Sequence, residues 1–184
     1  MKRSIHFLEY LYCHLLIVFL IGRMGFILNN RCVEQLSFAD AASACWRGFV
    51  GHDLMVAAWL LVVPWLVGLF ALKHSGFKLR AWLTPYYLVM GLALAAIIVA
   101  DAVMYEYWQF KLGMVVLSYA ASPEGATNSV SFSYIIIRVA AFLLLALWII
   151  VPCIWLTPKK LPTGQTERLW MRNISIIWTF LLVS

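Results

Sequence analysis

The sequence predicts an all-α integral membrane protein: a bundle of four complete transmembrane helices plus a truncated fifth, with short interfacial helices in the outer loops. Hydrophobic residues make up 64% of the 184 positions and charged residues only 12%, with a mean hydropathy of +0.89. Soluble domains are closer to half apolar and a quarter charged. Trp and Tyr gather near the ends of the apolar runs, where their amphipathic rings favour the headgroup layer. We therefore assign the chain to the membrane.

Apolar segments define the helices, since a helix rising 1.5 Å per residue needs about 20 residues to cross the hydrocarbon core. Residues 169–184 begin a further apolar segment that is too short to cross, so we expect the protein to continue beyond Ser184. Prolines in or at the ends of the helices predict kinks whose freed backbone groups neighbouring helices satisfy. The complete segments run from Phe7 to Leu28, Phe49 to Leu72, Ala81 to Ala100 and Val130 to Leu156, and the prolines are Pro64, Pro85 and Pro152.

The distribution of Lys and Arg over the connections predicts the orientation, because cytoplasmic loops carry an excess of these residues. One side receives Lys2, Arg3, Lys73, Lys78, Arg80, Lys159, Lys160, Arg168 and Arg172, and the other only Arg31, Arg47 and Lys111. We expect a cytoplasmic N-terminus. The formal charge of +6 is then mainly a topology signal with some attraction to anionic lipid, and nucleic-acid binding is not needed to explain it.

The two connections on the predicted outer side both favour short helices on the membrane surface. The first runs from Asn29 to Gly48 and mixes apolar with polar residues at helical spacing. The second runs from Asp101 to Ser129 and extends the third helix by a stripe of Tyr105, Trp108, Leu112, Val115 and Tyr119.

Four charged residues of the predicted helices fall at one depth, within roughly 12 Å of the outer surface at 1.5 Å per residue. They are Arg23, Asp53, Asp101 and Arg138. Two carboxylates balance two guanidinium groups, as expected where an unpaired charge is unfavourable. Two interpretations remain open: a structural network of ion pairs, or a slot for a lipid headgroup in which an Arg faces a phosphate.

The cysteines and histidines contain no metal-binding or redox motif. Cys13 and Cys153 lie within predicted helices, whereas Cys32 and Cys45 share an outer loop and could form a disulfide in an oxidising compartment. His52 precedes Asp53, which favours a hydrogen bond at a helix end. The sequence has no phosphate-binding glycine loop, no Ser/His/Asp arrangement and no carboxylate set for a metal. We expect no catalysis from these residues alone.

Two stretches resemble the membrane region of lipoteichoic acid synthase-like proteins, which belong to the sulfatase and alkaline phosphatase superfamily. Residues 46–64 read WRGFVGHDLMVAAWLLVVP and are similar to the second-helix pattern of that family, in which glycine and a hydrophobic residue precede an Asp and a long apolar run leads to Pro. Residues 101–112 read DAVMYEYWQFKL and are similar to its third-helix signature.

This resemblance implies a five-helix anchor in a bacterial cell (inner) membrane, followed by a large outer catalytic domain. In the family that domain uses a Thr nucleophile and a divalent metal, typically manganese, to transfer glycerol phosphate from phosphatidylglycerol, or performs related chemistry. No catalytic residue or metal ligand can be carried over to this chain. The motif positions that carry over are Asp53, Asp101 and Tyr105, while Lys111 stands where the family more often has Arg. Membrane lipids and the chain's own downstream domain are the implied partners.

Two other classes remain as alternatives. A DsbB-like thiol oxidoreductase needs paired thiols in the outer loops, and only Cys32 and Cys45 are available there. A small transporter subunit would be favoured by broken helices and by charges at the middle of the membrane, whereas the charges predicted here lie near one surface.

Overall fold

The computed structural model describes residues 6–34, 37–74, 76–108 and 132–161, and every regular element in these ranges is a helix. The elements are α1 (Phe7–Glu34), α2 (Phe38–Gly48), a π-helical turn (Phe49–Asp53), α3 (Leu54–Leu60), α4 (Val62–Lys73), α5 (Leu79–Trp108) and α6 (Phe132–Leu156).

Four helical stretches are long and apolar enough to cross a membrane, which confirms the predicted number of complete spans. They are Phe7–Asn30, Ala42–Leu72, Leu79–Tyr105 and Phe132–Leu156. The predicted fifth segment, residues 169–184, lies outside the described residues.

The second span begins earlier than the sequence predicts. Ser37 caps α2 by accepting a hydrogen bond from the Asp40 N–H at 3.2 Å, and α2 then runs through Gly48 into the π-helical turn and α3. A helix therefore occupies much of the first outer connection, but it leads directly into the second span, and a location on the membrane surface stays a prediction. Asp53 consequently lies well inside the span that starts at Ala42, further from its start than predicted.

The core of the bundle lies mainly between α1, α5 and α6. Each of these helices buries residues at spacings of three, four and seven, which place them on one face. Gly91 on α5 permits a close approach to α6, because a Cβ at that position would overlap the side chain of Ile150. Large apolar side chains remain exposed on the opposite faces, as expected of helices that lipid surrounds. The buried sets include Leu11, Leu15 and Val18 on α1, Leu83, Tyr87 and Met90 on α5, and Ala146, Ile149 and Cys153 on α6.

Side chains from neighbouring helices satisfy carbonyl groups at two of the prolines. Pro64 has no N–H for the carbonyl of Leu60, and the Tyr86 hydroxyl of α5 donates to that carbonyl at 2.6 Å. Pro152 likewise has no N–H for the carbonyl of Trp148. The imidazole of His14 lies 3.3 Å from the next carbonyl, that of Ile149. Side chains of other helices thus contact the backbone near both prolines.

A second set of contacts joins α5 to the end of α6 at the opposite end of the bundle from Arg23. Arg80 donates to the carbonyls of Thr157 at 2.8 Å and of Trp155 at 3.4 Å. The buried Thr157 hydroxyl meets the Tyr87 hydroxyl at 2.8 Å and donates to Cys153 at the same distance. A guanidinium at the C-terminus of a helix complements the partial negative charge of its last carbonyls. Arg80 therefore fixes the end of α6, in addition to its predicted place in a basic loop.

Candidate functional site

Polar side chains connect four helices at the end of the bundle where α1 and α5 finish and α6 begins. Asn29 and Asn30 of α1 donate to the carbonyl of Ala102 on α5, at 3.3 and 3.4 Å. Arg138 of α6 donates to the side-chain oxygen of Asn29 at 2.8 Å. We call Arg23, Asn29, Asn30, Asp53 and Arg138 the polar cluster.

Arg23 and Asp53 form an ion pair between α1 and the second span. The Arg23 Nη2 atom lies 2.6 Å from the Asp53 Oδ1 atom, and Asp53 is buried, with 7% of its surface exposed. A contact this short between charged groups is a strong hydrogen bond. The pair therefore connects the second span to α1 through a carboxylate that is buried in the bundle.

The backbone around Asp53 is shaped to accept Arg23. Residues Phe49–Asp53 form a π-helical turn, and the Leu54 N–H bonds to the Phe49 carbonyl five residues earlier. Gly48 precedes the turn, and a Cβ at that position would overlap the guanidinium of Arg23. The absence of a side chain thus lets the guanidinium lie against the helix. The segment that resembles the family's second-helix pattern contains the π-helical turn that connects α2 to α3.

Arg138 has a different environment from Arg23. Besides its hydrogen bond to Asn29, its guanidinium lies over the ring of Tyr134, 4.7 Å from the centroid, a cation–π arrangement. Asp101, on α5, is half-buried and precedes the residue whose carbonyl accepts from the two asparagines. Tyr105 packs edge-on against Phe26 at 5.0 Å between ring centroids.

The structure places the predicted site residues at one end of the bundle, and it pairs Arg23 with Asp53. It adds Asn29 and Asn30, which the sequence interpretation assigned to a loop. Their signal was weak: two adjacent amides at the end of an apolar run, whose main partner is a backbone carbonyl. Lys111 lies outside the described residues. A headgroup-binding role for the cluster stays a prediction.

The cysteines that the structure describes are separate from one another in the fold. Cys13 is exposed on α1, Cys153 is buried in α6, and Cys45 of α2 is half-buried, with a free thiol. The side chain of Cys32 lies outside the described residues, so its disulfide with Cys45 under oxidising conditions remains a prediction.

Within the described ranges, no group of three or more His, Cys, Asp or Glu residues could hold a metal ion. Comparison with protein family models, with curated proteins and with solved structures gave no match to this chain. The structure itself shows charged and amide side chains of the polar cluster that connect the helices to one another.

Proposed function

We propose that this chain is the membrane anchor region of a lipoteichoic acid synthase-like protein of the phosphoglycerol transferase or sulfatase type. In this role it positions an outer catalytic domain, with its own manganese, at the membrane surface. The observation that supports the proposal most directly is the burial of Asp53 against Arg23. A motif carboxylate that is buried and paired serves to connect helices and is poorly placed for chemistry on a substrate.

The energetic argument favours the same role. Charged side chains inside a bilayer are unfavourable unless they pair with one another or with the interior of a bundle. Removing one member of such a pair strongly destabilises the protein, whereas replacing both members with apolar residues is often tolerated. The Arg23–Asp53 contact therefore serves the bundle by fixing the relative position of its first two spans, as an anchor for a second domain requires.

The surroundings that we propose for this anchor follow from the exposed surface and the charge distribution. Lipid covers the exposed apolar faces of the helices, and phosphatidylglycerol is one candidate at the polar cluster, where a headgroup slot would lie. The excess of Lys and Arg on one set of connections supports an N-terminus in the cytoplasm of a bacterial cell.

Three measurements test the anchor role. The purified chain should release no glycerol phosphate from phosphatidylglycerol in the presence of manganese, and it should reduce no quinone. The genomic sequence after the codon for Ser184 should encode a sulfatase-type domain with a Thr nucleophile. A stop codon directly after Ser184, or metal-dependent turnover by the chain alone, would contradict the proposal. Quinone reduction coupled to thiol oxidation would instead favour the DsbB-like alternative.

A further inference from the structure

The Arg23–Asp53 pair leaves two of its own atoms without a hydrogen bond. The contact uses one donor, the Nη2 of Arg23, and one acceptor, the Oδ1 of Asp53. The Nε of Arg23 and the Oδ2 of Asp53 are both buried and have no partner among the described residues. A fork of two parallel hydrogen bonds, which would satisfy both atoms, is not formed.

These two atoms lie near each other, because each is two bonds away from an atom of the 2.6 Å contact. Standard bond lengths therefore keep them within about 7 Å of each other, and one oxygen can bridge two atoms that lie within two hydrogen-bond lengths, about 6 Å. Buried polar groups are nearly always hydrogen-bonded, and ordered water is the usual partner where the protein supplies none. A single group that accepts from Nε–H and donates to Oδ2 would satisfy both atoms.

The charges around the two atoms select the chemistry of that group. The carboxylate of Asp53 would repel an anion, and the guanidinium of Arg23 would repel a cation. A neutral hydroxyl meets neither difficulty, because its oxygen accepts one hydrogen bond and its hydrogen donates another. Arg23 is the more exposed member of the pair, with 27% of its side chain exposed against 9% for Asp53.

We propose that the Arg23–Asp53 pair binds a neutral hydroxyl group that bridges Arg23 Nε and Asp53 Oδ2. The hydroxyl belongs either to an ordered water molecule or to a lipid headgroup that reaches the pair from the exposed side of Arg23. The inference concerns the ion pair itself and holds whether or not the chain anchors a catalytic domain.

Infrared spectroscopy of the purified chain tests the water source. Exchange of ordinary water for heavy-oxygen water should shift an O–H stretching band of a strongly bonded internal water. The band should be lost in the double variant Arg23→Met with Asp53→Leu, which removes both bridging atoms. It should persist in Arg47→Gln, a matched control that removes an exposed arginine from the neighbouring helix α2. Circular dichroism checks that each variant remains helical.

The lipid source is tested in nanodiscs of phosphatidylglycerol, whose headgroup carries hydroxyls, against phosphatidylcholine, whose headgroup has no donor. A lipid hydroxyl should raise the unfolding temperature in phosphatidylglycerol for the parent chain and for Arg47→Gln, but not for the double variant.

If the double variant does not fold, Asp53→Asn replaces it, and isotope-labelled arginine gives the readout. Its nuclear magnetic resonance signal should show the Arg23 Nε proton protected from exchange in the parent chain and less protected in Asp53→Asn. Either the water band or the lipid-dependent stabilisation, each requiring the pair, supports the proposal. The absence of both, or an Arg23 Nε proton that exchanges freely in the parent chain, overturns it.

Discussion

The hydroxyl of Tyr86 lies 2.6 Å from the carbonyl oxygen of Leu60, the group that Pro64 deprives of its usual helical partner. Leu61, between α3 and α4, has φ −88° and ψ −4°, so the helix is locally interrupted there. A side chain of α5 thus completes the hydrogen bonding of the second span. The interruption at Leu61 and the hydroxyl of Tyr86 therefore form one structural unit, which involves both the second span and α5.

This unit can be tested with Tyr86→Phe, which leaves the Leu60 carbonyl without its donor. We expect a loss of about 1–3 kcal/mol in the free energy of unfolding, the usual effect of leaving a buried polar group unsatisfied. Titration of the purified protein with denaturing detergent measures it. Tyr10→Phe is the matched control, because Tyr10 is 45% exposed and should change little. In a Pro64→Ala background, which restores the N–H, the effect of Tyr86→Phe should shrink. An unchanged effect there would contradict the explanation.

The second prediction concerns Arg23 and Asp53. Arg23→Ala should destabilise the bundle by about 3–5 kcal/mol, because it leaves the buried carboxylate of Asp53 alone, and Asp53→Ala should destabilise it by less, because Arg23 is partly exposed. The double variant Arg23→Ala with Asp53→Ala should lose less stability than the sum of the losses in the two single variants, because it leaves neither charge without its partner. Arg47→Ala, at an exposed position of α2, serves as the control. Simple additivity of the two single effects in a detergent titration would argue against coupling.

Gly48 provides a third test, because a Cβ there would occupy the space of the Arg23 guanidinium. Gly48→Ala should displace the guanidinium and weaken the ion pair, but it should reduce stability by less than Arg23→Ala does, because the guanidinium is the flexible end of a long side chain and can move. Gly51, in the same π-helical turn, has no atom within 4 Å of an added Cβ. Gly51→Ala should therefore be neutral, or stabilising by up to about 1 kcal/mol, because Ala is the better helix former. Equal effects of the two substitutions would mean that helix propensity, and not the contact with Arg23, determines the result.

The orientation of the chain is the subject of the fourth prediction. Single cysteines placed at Ser75 and at Ser122 in a cysteine-free background should react with membrane-impermeant reagents from opposite sides, with Ser122 on the outside. The reason is the uneven distribution of Lys and Arg over the connections. Labelling of both positions from the same side would require a different topology.

Much of the architecture could be predicted because the length and polarity of an apolar run decide whether a helix crosses the bilayer. The start of the second span could not, since Trp46, Arg47 and Gly48 have the composition of a loop. There the helix continues, and the guanidinium of Arg23 occupies the space that the glycine leaves, a contact between distant parts of the chain that the sequence does not show.

The polar cluster shows the same limit. Charged residues at similar depths identified Arg23 and Asp53, because charge is visible in the sequence. The side chains of Asn29, Asn30 and Tyr86 donate to backbone carbonyls of other helices. Every residue has such a carbonyl, so the sequence does not show which one accepts the hydrogen bond. Such contacts can be assigned only once the packing of the helices is known.

The ion pair between Arg23 and Asp53 also affects how the protein enters the membrane during synthesis. Insertion of a helix with Asp or Arg is unfavourable by about 2.5–3.5 kcal/mol when the residue lies at the helix centre, and by less towards the end of the span, where Arg23 lies. The two residues meet in the folded bundle, so each span supplies the counter-charge of the other. The insertion machinery would then release α1 into lipid only after the second span has been made, and the two spans would leave it together as a hairpin.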